Sequence, residues 1–181
     1  MPLQTETFTL EEVTADLEDE REELADEIAQ IHPDERTEEN NDYLQLAERS
    51  SDIERTLGGL EWVREEFGTD AEFELSGLNT QETLEIADRV DDLRAETITP
   101  TKSTNNMATI FWAAKGTKSA PFIDDDASFE ERCATVRALP RQVSDFLESR
   151  ISDLSTVGNR NATSFEALVA EKTEEYHPTS S

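Results

Sequence analysis

Two apolar stripes with helical spacing dominate the first third of this chain, and a helical hairpin is the simplest fold that buries both. Leu10, Val13, Leu17, Leu24, Ile28 and Ile31 recur three and four residues apart, with one interruption at Glu20-Arg21. Tyr43, Leu46, Ser50, Ile53, Leu57, Leu60, Arg64 and Phe67 repeat the pattern, although Ser50 and Arg64 weaken two of its layers. Thr9 with Glu12 three residues on is a capping-box pair that starts the first helix, and His32-Pro33-Asp34 ends it, since proline pushes its predecessor out of helical geometry. The short connection predicts antiparallel helices sharing one seam, either internal or completed by another subunit. Gly58-Gly59 interrupts the second stripe. Two glycines cost roughly 2 kcal/mol of helix propensity relative to alanine, so the pair marks a kink, a close helix crossing or a break.

Downstream, Gly68 suits a helix C-cap, and the alternating Ala71-Glu-Phe-Glu-Leu-Ser76 reads as a short strand. Asn79 with Glu82 opens a helix carrying Leu84, Ala87, Val90 and Leu93 or Arg94. Ser128 with Glu131 opens another over 129–138, which Pro140 ends or kinks. Val143, Leu147, Ile151 and Leu154 then trace a third amphipathic face, broadened by Phe146. Gly158-Asn159 makes a turn, and Thr163 with Glu166 caps a last short helix containing Phe165, Leu168 and Val169. The expected fold class is mostly α. A coiled-coil-like N-terminal antiparallel hairpin spans 1–68, followed over 69–181 by a small, mostly helical domain with one or two short strands and a loop region at 97–123.

Charge limits what this chain can touch. Its 181 residues carry 43 Asp plus Glu against 16 Lys plus Arg, a net charge of −27, and 12 of the cations are arginine. Such like charge repels itself in dilute buffer, whereas at molar salt the Debye length falls to about 3 Å and the repulsion is largely screened. The composition therefore points to a halophile's protein; intrinsic disorder is the competing account, and the clean helical periodicity favours folding. An acidic coat weighs against a nucleic-acid grip, which needs a basic patch to displace counterions. The single cysteine, Cys133, excludes an internal disulfide and fits a reducing compartment. No stretch approaches the ~20 apolar residues of a spanning helix, and Met-Pro-Leu-Gln-Thr-Glu lacks the basic and apolar regions of a signal peptide. The expectation is a non-membrane, cytoplasmic protein, in the host cytoplasm if viral, with the virion as the alternative location.

One stretch escapes the acidic coat. Positions 97–123, 27 residues, contain no Asp or Glu and hold three of the four lysines, around the run Met107-Ala-Thr-Ile-Phe-Trp-Ala-Ala114. Its polar opening reads as loop, and its apolar centre is too short to separate a buried strand from a helix turn. Lys102, Met107, Ile110, Phe111, Trp112, Lys115 and Lys118 are the candidate partner-binding residues, because aromatic and Met side chains anchor interfaces. The competing account places Ile110, Phe111 and Trp112 in the core, where acids are rare anyway. The polar flanks 99–106 and 115–120 fit burial less well and read as mobile or contacted loops.

Catalytic chemistry finds little footing. His32 and His177 each precede a proline at a segment end. Asp124-Asp125-Asp126 lacks the alternating ligands and glycine of a calcium loop, and reads as a solvated turn ahead of the Ser128 cap. Cys133 sits in an amphipathic helix with no histidine nearby. Gly116-Thr-Lys-Ser119 lacks the upstream glycine and the glycine–lysine pair of a phosphate loop. No lysine follows an acid by two positions, so the Glu-x-Lys half of a common nuclease motif is missing, and Asn161-Ala-Thr163 is a glycosylation acceptor only in an exported protein. No enzyme activity, metal or cofactor is expected; a metal-dependent enzyme hidden in the acid clusters is the weakest of three readings.

Ser128-Phe-Glu-Glu-Arg132, Val136-Arg-Ala-Leu-Pro140 and the spaced Val143, Leu147, Ile151 and Leu154-Ser155 resemble the helix–proline–helix tail of tailed-virus proteins of the tail assembly chaperone type. Phe73-Glu-Leu-Ser-Gly-Leu-Asn-Thr80 is similar to the start of that module, so the resemblance covers 73–155, under half the chain, and leaves out the hairpin. It implies a non-enzymatic helical protein, often oligomeric, that binds the tape-measure protein and recruits tube subunits, here in a haloarchaeal virus. A structural subunit retained in the virion or in a host scaffold is the alternative. The resemblance assigns no site residues. Dialysis from molar salt to below ~0.5 M is expected to loosen or unfold the chain as self-repulsion returns; an unchanged circular dichroism spectrum would contradict the salt-adapted reading.

Overall fold

A computed structural model describes residues 4–96, 102–124 and 126–156. The chain enters its first helix from a strand. β1 (Thr5–Thr9) runs directly into α1 (Leu10–Gln30), with Thr9 as the N-cap of a reciprocal capping box. The Thr9 backbone N–H donates to Glu12 Oε2 at 2.8 Å, which with the hydroxyl holds the Glu12 carboxyl below its ordinary pKa. Arg36 then donates to the carbonyls of Ile31 and Ala29, satisfying acceptors that the end of α1 leaves open. After a single 3-10 turn, Asn40 caps α2 (Asn41–Phe67), accepting from the N–H groups of Asp42 and Tyr43.

α1 and α2 form the expected antiparallel hairpin, and the polar interruption in its first stripe has a use. Arg49 on α2 grips Glu20 on α1 through two hydrogen bonds of 2.6 and 2.8 Å, which depresses the Glu20 carboxyl pKa. α2 runs unbroken through its glycine pair. Of the three readings of that pair, the close crossing is the one observed: a Cβ on Gly59 would lie 2.8 Å from Gln142 Cβ and 3.2 Å from backbone atoms of Gln142 and Val143, whereas one on Gly58 would meet nothing within 4 Å.

After α2 come β2 (Glu72–Ser76), α3 (Thr80–Glu96), α4 (Lys102–Gly116), β3 (Thr117–Ser119), α5 (Phe129–Ala138) and α6 (Arg141–Ser155). The sheet order is β1-β2-β3, all antiparallel, with Phe8 opposite Phe73 and Leu75 opposite Thr117. The stretch expected as loop is helical from Lys102 onward, because no proline or glycine interrupts 102–115 and Met107, Phe111 and Ala114 share one face. Strands β1 and β3 were not foreseen. Asn79 caps α3 and Ser128 caps α5, each with the expected partner, Glu82 and Glu131. The turn and helix expected beyond position 157 lie outside the described residues.

One core joins the two parts of the chain. Leu10, Val13, Leu60 and Val63 of the hairpin belong to the same buried cluster as Phe73, Leu75, Val136, Leu147 and Ile151, while Leu24 and Ile53 are buried outside it. Helix α6 reaches most of this core. Its N-terminal turn meets Gly59, and its C-terminal turn is stitched to the β2–α3 joint, where the Leu78 N–H donates to Ser155 Oγ at 2.7 Å and Gly77 faces the Leu154 backbone too closely to carry a side chain. Thr117 is fully buried, with its hydroxyl unpartnered among the described residues and its carbonyl accepting from Arg132 at 2.7 Å.

The two adjacent glycines should answer alanine substitution with opposite signs. Gly58→Ala is expected to stabilise by about 0.5–1 kcal/mol through helix propensity. Gly59→Ala should destabilise by about 1–3 kcal/mol, the usual effect of forcing a methyl into a packed crossing. Urea midpoints at high salt measure both, and equal shifts would show that the crossing is not tight.

Candidate partner-binding groove

Helix α4 is the middle of the C-terminal packing, flanked by α3, α5 and α6. That position distributes the candidate residues over different surroundings. Phe111 is 7 % exposed, in the core, with its ring 5.9 Å from that of Phe129. Ala113 and Ala114 are buried beside it. Trp112 is half-buried and packed on the core. Lys115 faces α3, its Nζ 3.3 Å from Glu85 Oε2 and 5.9 Å from the Phe129 ring centroid, above which the Arg89 guanidinium also lies at 4.7 Å. Lys118 is exposed on β3, and Lys102 begins α4. Met107 and Ile110 lie on the side toward α5 and α6.

On that side a groove opens where three helices meet. Its floor is apolar, from Ile110, Val136 and Leu139, and Asn106 and Thr109 add polar groups from α4. Arg137 and Arg141 stand at its rim, and Asp145, 3.2 Å from Arg141, is the one carboxylate among its lining residues. Ser144 is committed elsewhere, donating to the Val136 carbonyl and pinning α6 to the end of α5. The volume is about 240 Å³, below the roughly 300–1,000 Å³ of most small-molecule sites. It suits protruding side chains better than a cofactor. In a chain of net charge −27, a lining with two arginines and one aspartate is the unusual surface.

A larger cleft, about 430 Å³, lies between α1, α2 and α6, but its arginines are already matched. Arg49 holds Glu20, Arg55 holds Asp52, and Arg150 reaches Glu6 at 3.5 Å while lying over the rings of Phe8 and Phe146. No group of three or more His, Cys, Asp or Glu among the described residues is arranged to hold a metal ion. Burial pushes the Cys133 thiol up to about 11, so at neutral pH it is a protonated core residue rather than a nucleophile. His32 is exposed and accepts from the Asp34 N–H at the hairpin turn; His177 lies outside the described residues. Among the described residues no helix is long and apolar enough to cross a membrane.

Sequence reasoning located one wall of the groove and missed the other. Arg137, Leu139 and Arg141 surround Pro140, and the signal that they belong together was that proline, which turns the chain between α5 and α6 and brings both against α4. Comparison with protein-family models, with curated proteins and with solved structures gives no match.

Burial separates the candidates experimentally. Phe111→Ala is expected to lose about 3–5 kcal/mol of stability, as for other buried phenylalanines. Ile110→Ala, at the groove floor, should lose much less. Thermal melts of the two variants at high salt check this, and equal losses would place Ile110 in the core as well.

Proposed function

We propose that this protein is a non-enzymatic assembly chaperone or adaptor that docks segments of other proteins in the α4–α5–α6 groove. The carrying observation is the groove: apolar floor, arginine rim, and one wall from the acid-free helix. The residues behind the resemblance to tail assembly chaperones include part of that lining, since Val136, Arg137 and Leu139 lie in the helix–proline–helix stretch. On this reading the partners are other tail proteins, such as a tape-measure or tube protein, in the cytoplasm of a halophilic archaeal host, and the acidic coat is the adaptation to that host's salt.

A second reading, a subunit retained in the virion or in a host scaffold, draws on the hairpin. Ile28, Ile31, Tyr43, Leu46 and Leu57 are only half-buried along the seam, and Leu44 is 38 % exposed, which leaves apolar surface for another subunit to cover. Quantitative mass spectrometry of purified virus particles separates the two. The chaperone reading expects the chain to be absent or far below stoichiometric in mature particles while abundant in infected cells. A fixed stoichiometric copy number in particles would overturn it in favour of the structural subunit.

A further inference from the structure

We infer that the occupant of the α4–α5–α6 groove is an acidic segment of a partner protein carrying an aliphatic anchor. This rests on the docking reading above and assigns its chemistry. The anchor seats on Ile110, Val136 and Leu139, and a neighbouring carboxylate pairs with the Arg137 guanidinium.

Arg137 is the reason to look for a carboxylate. Acids outnumber bases heavily in this chain, and Arg49, Arg55, Arg64 and Arg89 each hold a carboxylate of their own molecule. Arg137 is exposed and holds none among the described residues; its Nη2 instead donates to the Met107 sulfur at 3.6 Å, a weak acceptor that a carboxylate readily replaces. A guanidinium offers a planar pair of N–H donors that matches both oxygens of a carboxylate. Arg141, 74 % exposed, stands at the same rim with Asp145 as its partner, so the rim as a whole keeps one positive charge in excess.

The walls agree with that assignment. Helix α4 contributes no acid anywhere along its length, so an incoming carboxylate meets no like charge from that side. Asn106 and Thr109 hold no side-chain hydrogen bond among the described residues and are free to donate to it. A basic segment would face Arg137 and Arg141 with like charge. A phosphodiester would satisfy the guanidinium, but it leaves the apolar floor uncovered and places a chain of negative charges along a strongly acidic protein.

Fluorescence anisotropy with the whole protein in molar KCl tests the assignment. The probes are a labelled peptide of glutamates with leucines one helical turn apart, its glutamine and lysine analogues, and a labelled single-stranded oligonucleotide. The glutamate peptide is expected to bind most tightly. Arg137→Glu should weaken it about tenfold or more, Arg137→Lys should weaken it less, and Arg21→Glu on α1 should leave it unchanged. Ile110→Lys should weaken every peptide, with circular dichroism showing that the variant remains folded. If Ile110→Lys weakens all peptides while Arg137→Glu changes nothing, or if the glutamine, lysine or nucleic-acid probe binds as well as the glutamate peptide, the carboxylate assignment is overturned and the docking groove stands. If Ile110→Lys changes no probe's binding, the docking reading falls with it.

Discussion

Helix α6 holds the parts of this molecule in place. Its apolar face, Val143, Phe146, Leu147, Ile151 and Leu154, is buried from one end to the other. The hairpin reaches it at Gly59, α4 lies along it, and the end of β2 is tied to its last turn through Gly77 and Ser155. The contacts at Gly59 and Gly77 depend on close backbone approach, which a packed interior tolerates only where side chains are small. Without α6 the hairpin would keep its own seam, the Arg49–Glu20 grip and the β1–β2 pairing but lose the crossing at Gly59. The groove would lose its third wall.

How far the sequence could be read follows from how local each signal is. Helices with a capping pair were legible, because Thr9–Glu12, Asn79–Glu82 and Ser128–Glu131 act within one turn and need nothing from the rest of the chain. β1 was not: Thr-Glu-Thr-Phe-Thr buries a single side chain, Phe8, and is a strand because β2, more than sixty residues on, supplies the partner. β3 is three residues long and carries no pattern at all. The groove is harder still to see in one dimension, since its walls come from three helices and its arginines flank a proline that reads only as a helix boundary.

The acid-free stretch has two causes that composition alone merged into one. Phe111, Ala113, Ala114 and Thr117 lie buried in the packing, and a carboxylate at any of them would face α3, α5, α6 or the sheet with its charge stripped of water. At Asn106, which is exposed on α4, burial offers no such reason, and there the lack of acids bears on the groove. Crowding of acids has a visible cost elsewhere. Burial, assisted by Asp145 and Asp153, raises the pKa of the Glu148 carboxyl on α6, so as pH rises through its ordinary range this residue opposes folding rather than assisting it.

Six aromatic side chains form an unbroken series. Trp62 meets Phe67, which meets Phe122, then Phe73, Phe8 and Phe146, each ring centroid about 5–6 Å from the next. Trp62 therefore sits at the outer end of a stack that begins on the hairpin, crosses the sheet and ends on α6. The only other tryptophan, Trp112, belongs to α4, one helix of the groove. The molecule thus carries two tryptophan fluorophores in separate places, one sensitive to whether the hairpin stays docked and the other to the helix beside the groove. Replacing either with phenylalanine leaves a single-colour reporter for the other region.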